Sequence, residues 1–233
     1  MGNSQQDWWN GRFQNNKNLI DNSRNVELDI AKALDDKIWI EEWNGFCDLL
    51  KVNPKPKVID LGCGLGALSK FFASKGCEVV AVDFSQNAID IVQSHVRGVN
   101  AFVHDITRSL PFDDVYFDVV VANLSLHYFN EADTHNIISE IKRILKPNGI
   151  LIGAVLSMEE WEFAKKRGKF VEVEPNFYHE MFGDKIKHVR FFDRKDIDKF
   201  FVGFEFLYLN SKVEQRMGKL KGAWEFVGRN KCN

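Results

Sequence analysis

Cysteine is scarce and poorly spaced for cross-linking or metal binding. The four residues are Cys47, Cys63, Cys77 and Cys232. They include no C-x-x-C pair, which argues against both a small disulfide framework and a zinc site. The six histidines show no ligand spacing either, so no metal is expected. No apolar run approaches the roughly 20 residues that span a bilayer. The opening residues are rich in Asn and Gln and lack the apolar stretch of a signal peptide. Together these absences predict a cytoplasmic protein in reducing surroundings with no membrane contact. An excess of one charge is missing too. The formal net charge is −2, so no global field draws the chain to nucleic acid or anionic lipid. Only residues 212–233 are locally basic, with Lys212, Arg216, Lys219, Lys221, Arg229 and Lys231 against Glu214 and Glu225. They read as the solvated face of a strand. There is no internal repeat and no low-complexity tract.

What remains is enough apolar material for one core, 45% of 233 residues. A single domain over 1–233 is expected. Residues 1–34 form an arm in which Trp8, Trp9 and Phe13 predict docking rather than disorder. A helix is expected over 35–51, where Ile38, Trp39, Phe46, Leu49 and Leu50 recur at helical spacing. From Lys57, apolar runs alternate with helical stretches. The runs lie at 58–61, 78–83, 101–104, 117–122 and 150–156, and the helices at 67–75, 85–96 and 131–145. Gly76 is placed to end the first helix, and Ser85 to cap the second. Strands that are continuously apolar and separated by helices predict a doubly wound α/β fold with a mostly parallel sheet. After Leu156 the rhythm breaks. Residues 157–192 read as an irregular, aromatic-rich insertion, either a lid holding an acceptor pocket or a satellite core, with Glu172, Glu174, His179 and Glu180 as polar contacts. A helix over 193–201 and strands over 204–210 and 222–229, turning near Met217-Gly218, close the sheet as an antiparallel hairpin.

The strongest chemical signal is Asp60-Leu61-Gly62-Cys63-Gly64-Leu65-Gly66, a glycine loop that leaves a strand and opens a helix. Its glycines allow a tight turn, and its amides and the following helix N-terminus offer donors to a ligand. Asp83 ends the second strand, where a carboxylate can accept both hydroxyls of a ribose. Asp105 follows the third strand and reads either as an acceptor for an adenine amino group or as a turn residue. Gly62-x-Gly64-x-x-Ala67 also permits a dinucleotide, so an NAD(P)-dependent oxidoreductase is an alternative, as is a non-catalytic cofactor-binding partner subunit. Asp60 favours a different ligand: a carboxylate beside the loop repels a pyrophosphate and attracts an ammonium group.

These residues, with Val82-Asp83, His104-Asp105-Ile106, Phe117-Asp118-Val119-Val120 and Leu145-Lys146-Pro147-Asn148-Gly149, resemble the class I S-adenosylmethionine-dependent methyltransferases. Trp8-Trp9-Asn10-Gly11-Arg12-Phe13 is similar to the arm of small-molecule and tellurite-resistance-type members. The resemblance implies a Rossmann-like seven-stranded sheet, S-adenosylmethionine as cofactor and S-adenosylhomocysteine as product. It implies that Asp60, Gly62, Cys63, Gly64 and Gly66 hold the methionine end. Asp83 would meet the ribose, Asp105 the adenine and Asn123 the sulfonium, with Phe84 and Ile106 as further cofactor-binding residues. Methyl transfer mainly needs alignment of an acceptor with the methyl group. A base is needed only for a protonated acceptor. His127, in Asn123-Leu124-Ser125-Leu126-His127-Tyr128, is that candidate, with Asn123 beside it; the alternative is that His127 and Tyr128 only pack and cap. The segment lacks the Asn-Pro-Pro-aromatic pattern and the Pro-Cys nucleophile of enzymes acting on macromolecules. A small-molecule acceptor is therefore expected, not nucleic acid.

Overall fold

A computed structural model describes residues 9–12, 14, 54–216 and 219–231. The expected 35–51 helix, Trp8, Phe13, Cys47, Cys232 and the Met217-Gly218 turn lie outside the described residues. The alternation read from the sequence is present. It begins with β1 (Lys57–Leu61), α1 (Ala67–Ser74), β2 (Glu78–Asp83), α2 (Gln86–His95), β3 (Val99–Val103) and β4 (Phe117–Asn123). A 3₁₀ turn (Leu126–Tyr128), α3 (Glu131–Ile144) and β5 (Leu145–Leu156) complete the core. The sheet has seven strands in the order β3-β2-β1-β4-β5-β10-β9, where β9 is Phe204–Arg216 and β10 is Lys219–Asn230. Only β10 runs against its neighbours.

Alternate residues of one strand feed opposite faces of this sheet. Val120 and Ala122 join the core under α3, and Val119 and Val121 join the core under α1. Both faces are dry, which is why the strands read as unbroken apolar runs. In α1, Leu68, Phe71 and Phe72 make the inner face; the helix stops where Gly76 takes φ +84 and its N–H donates to Ala73 O at 3.0 Å. In α3, Asn130 Oδ1 accepts the Asp133 N–H at 2.8 Å, and Glu131 and Asp133 sit at the positive end of the helix dipole. Its buried Ile137, Ile138, Ile141 and Ile144 each contribute about 1.5–3 kcal/mol.

Several expectations are corrected. The insertion is regular, with α4 (Met158–Ala164) followed by a three-stranded antiparallel sheet of β6 (Lys169–Glu174), β7 (Phe177–Phe182) and β8 (Lys185–Arg190). Its strands pack one face on α4 and leave much of β6 exposed, so the alternation of one buried and one wet face was hidden among scattered aromatics. Helix α5 (Arg194–Phe200) then returns the chain to the main sheet. The fifth strand starts at Leu145, because Leu145 already pairs with Phe117 before a register shift absorbs the Lys146–Gly149 turn. The closing hairpin is longer than expected, and its basic residues are not all solvated. Lys212 reaches Glu225 at 3.3 Å, and Lys221 reaches Glu160 of α4 at 2.8 Å. Ser85 holds the position before α2 but does not cap it. Its hydroxyl donates to Asn10 Oδ1 at 2.7 Å.

Candidate functional site

The glycine loop between β1 and α1 is shaped by close approach. Gly62 has φ +71, and a Cβ there would stand 2.6 Å from Ser125 Cβ on the loop after β4. Gly66 has φ +82 and faces Val92 of α2 at 2.9 Å from such a Cβ. Four of the loop amides expected to offer donors to a ligand are already taken. Gly62 and Cys63 N–H both donate to Val82 O, at 2.8 and 3.0 Å, and Gly66 N–H donates to Cys63 O at 2.9 Å. Gly64 N–H donates to Asp83 Oδ2 at 3.0 Å. An anion could reach these four amides only by displacing those bonds.

A cavity of about 650 Å³ opens beyond this loop at the carboxyl ends of β1 to β4, the place where doubly wound sheets bind ligands. Of the expected cofactor contacts, all but Asp60 and Gly66 line it. Asp60 is 2% exposed and accepts the Ser69 hydroxyl at 2.6 Å. Burial raises its pKa to about 6, against the lowering effect of that bond. Asp83 is also raised by burial, while its carboxylate accepts the Ser85 and Gly64 N–H groups. Asp105 spends Oδ1 on the Thr107 N–H and hydroxyl, at 3.0 and 2.8 Å. It is thus a turn residue on one oxygen while still facing the cavity.

Buried polar atoms seldom lack partners. Three that do among the described residues belong to side chains lining this cavity: His104 Nε2, Asn123 Oδ1 and Ser125 Oγ. The cavity therefore fits a polar ligand that hydrogen-bonds these atoms. His104 and Ser125 were not singled out as ligand contacts. The position of His104 just after a strand end was the available signal. Nothing local marks Ser125, since it reaches the loop only through its contact with Gly62.

A second cavity of about 670 Å³ adjoins the first and is lined by α4, β7, β8 and the closing hairpin. Trp9, Leu124 and Tyr128 line both. Leu124 has φ +53, unusual for a γ-branched residue, and donates its N–H to Ala154 O at 2.8 Å. Residues 9–12 form a helical turn seated by Asn10, whose backbone carbonyl accepts from Asn87 Nδ2 at 3.1 Å.

The family described as a methyltransferase domain matches residues 59–153, from β1 into β5 and so across the glycine loop and its acids. Over those residues the chain is similar to the class I S-adenosylmethionine-dependent methyltransferases. S-adenosylmethionine is the methyl donor of this family. The chain is 34% identical over 98 residues to a demethylmenaquinone methyltransferase of Clavibacter sepedonicus, covering 41% of this chain and 39% of that protein. It is 28% identical over 178 residues to the tRNA N(3)-cytidine methyltransferase METTL2 of Xenopus tropicalis, 71% of this chain and 51% of that one. The chain spans about half or less of the length of these curated relatives. The crystal structure of an S-adenosylmethionine-dependent methyltransferase from Clostridium acetobutylicum shares the fold, with a TM-score of 0.61 at 17% identity over 85% of this chain and 93% of that chain.

The residues expected near the methyl group separate. Asn123 faces the first cavity and His127 only the second. His127 is 2% exposed. Burial, reinforced by Lys187 and Lys221, holds its pKa well below the usual value. Its ring lies 4.1 Å from that of Tyr128. The insertion forms an aromatic cluster of its own and also lines both cavities. Trp161 stacks on Tyr178 at 4.2 Å with Phe170 and Phe191 around them as a satellite core. Glu174 and His179 line the first cavity and Glu180 the second. Glu172 instead accepts the Asn176 N–H in the turn after β6. Among the described residues no helix is long and apolar enough to cross a membrane.

Proposed function

We propose that the chain transfers a methyl group from S-adenosylmethionine in the first cavity to a small molecule held in the second. The observation that carries this reading is the shared wall of Trp9, Leu124 and Tyr128, across which donor and acceptor would meet. When bound, S-adenosylmethionine supplies a methyl group on a positively charged sulfur leaving group. The protein's task is then to bind, align and exclude water. Asp83 would take the ribose hydroxyls, and His104 with the second oxygen of Asp105 the adenine end. Asn123 and Ser125 would face the methionine and sulfonium. Asp60 would act from beneath the loop by charge rather than contact. His127, neutral and on the acceptor side, is the candidate base for a protonated acceptor. Cys63 and Cys77, neither in a disulfide, support a reducing, cytoplasmic setting.

An RNA acceptor is a second reading, favoured by the tRNA methyltransferase relative, which aligns with 71% of the chain. The net charge of −2 and the inward pairing of Lys212 and Lys221 speak against it.

The test is calorimetric titration of S-adenosylhomocysteine into the purified protein, with NAD in parallel. Binding of S-adenosylhomocysteine alone is expected. Binding of NAD alone, or of neither, would overturn the cofactor reading. Binding without turnover of any acceptor would favour a partner-subunit role.

A further inference from the structure

We propose that the second cavity selects an acceptor bearing a small anionic group, a carboxylate or phosphate, held beside the shared wall by Lys187, Lys221 and Arg12. This rests on the methyltransferase reading and names the chemistry of its acceptor. All three cations line the cavity. The Lys187 ammonium stands 5.6 Å from the centre of the Tyr128 ring, and the Arg12 guanidinium 5.6 Å from that of Trp9. Both rings belong to the wall across which the methyl group would pass, so the cations converge where the acceptor's reacting end must lie.

The acids of the cavity fall one charge short of its cations. Glu160 is 2% exposed and already committed, accepting the Gly222 N–H at 3.1 Å and shared between Arg167 and Lys221. Glu180 pairs with Lys187 at 3.3 Å. The lining as a whole holds five cations, Arg12, Arg167, Lys187, Lys212 and Lys221, against four carboxylates, Glu160, Glu180, Glu214 and Glu225, an excess of one positive charge, and Lys212 is taken up by Glu225 at 3.3 Å. Like charges gathered in a partly desolvated cavity repel one another, and an anion entering among them relieves that cost. Lys187 carries the mark of this crowding: burial lowers its pKa, and Lys221 and Arg12 lower it further against the pull of Glu180. A separate observation also points to a ligand. His127 is buried on the wall of the same cavity, and its Nδ1 has no partner among the described residues. With both nearby lysines opposing its protonation, His127 can offer a neutral hydrogen bond to a bound acceptor.

The test uses the full chain saturated with S-adenosylhomocysteine and titrated with inorganic phosphate, succinate or neutral succinamide at matched ionic strength. One anion is expected to bind saturably at one site, while succinamide does not. The preferred anion separates a phosphate-bearing acceptor from a carboxylate-bearing one. Lys187→Gln should weaken that binding at least tenfold with affinity for S-adenosylhomocysteine within twofold of the parent. If that variant does not fold, Arg12→Gln on the exposed turn serves in its place. Neither anion binding better than succinamide, or anion binding unchanged in the variants, would overturn the proposal. So would salt-sensitive binding of a single-stranded RNA with no small anion bound. Loss of S-adenosylhomocysteine binding itself is read in the preceding titration, and it would instead sink the cofactor reading.

Discussion

The ring of Trp9 stands edge-on to that of Tyr128, with centroids 5.2 Å apart and planes at 78°. A residue near the start of the chain thereby completes the wall between two cavities built by the sheet and its insertion. The contact depends on Ser85 and Asn87, whose hydrogen bonds to Asn10 hold the turn in place. Trp9→Ala should weaken S-adenosylhomocysteine binding by about 1 kcal/mol, the scale of one aromatic pair, as read by calorimetry. An unchanged affinity would mean that the turn does not cover the cofactor.

Asp83 has two tasks, holding the Gly64 and Ser85 amides and facing the cavity. Asp83→Ala should cost about 1–3 kcal/mol of cofactor affinity, the usual loss for a buried charged acceptor, and should also lower the melting temperature of the empty protein. A variant that loses stability but keeps full affinity would show Asp83 to be purely structural.

Asp60 makes a pH prediction. Its folded pKa of about 6 lies above the unfolded value near 3.8, so the folded state binds the extra proton. Through this group, stability is greatest below pH 4 and declines as pH rises to about 6, by about 3 kcal/mol. Asp60→Asn should remove that slope in thermal melts of the empty protein. In the parent, affinity for the ammonium-bearing S-adenosylhomocysteine should rise over the same interval and then level off, because the ligand favours ionised Asp60. A flat affinity profile between pH 5 and 7 would rule out charge attraction from beneath the loop.

Arg190 fastens the insertion to the core. It is 1% exposed, donates to Phe129 O, Pro175 O and Glu174, and lies between the rings of Phe177 and Phe200. Arg190→Ala should destabilise the fold by about 2–4 kcal/mol in urea unfolding, since two carbonyls lose their donor and two rings lose their filling. A cost below about 1 kcal/mol would mean that the insertion is held by its aromatic cluster alone.

Gly62→Ala places a methyl group against Ser125 at a backbone angle that favours glycine. A loss of about 1–3 kcal/mol of stability is expected, with weaker cofactor binding because Ser125 lines the same cavity. Melting and calorimetry on one variant would test both.

Local pattern determined a good part of this protein. Unbroken apolar runs separated by helices could only be strands covered on both faces, and that dictated the parallel sheet. A glycine loop between strand and helix, followed by an acid at the next strand end, marked where a ligand belongs. These are short-range properties, legible because strand and helix periods are written in neighbouring residues. Tertiary structure decided what depends on distant partners. Val82 O takes the loop amides, and Ser69 turns Asp60 away from the cavity. Asp105 divides its oxygens between a local turn and the cavity, and the chain after Asn123 sends His127 to the second cavity. The insertion's strands were hidden because their pattern follows the helix they cover rather than a core of their own. The meeting of Trp9 with Tyr128, and of Lys187 with Lys221, joins residues far apart in the chain, and no local period encodes such a contact.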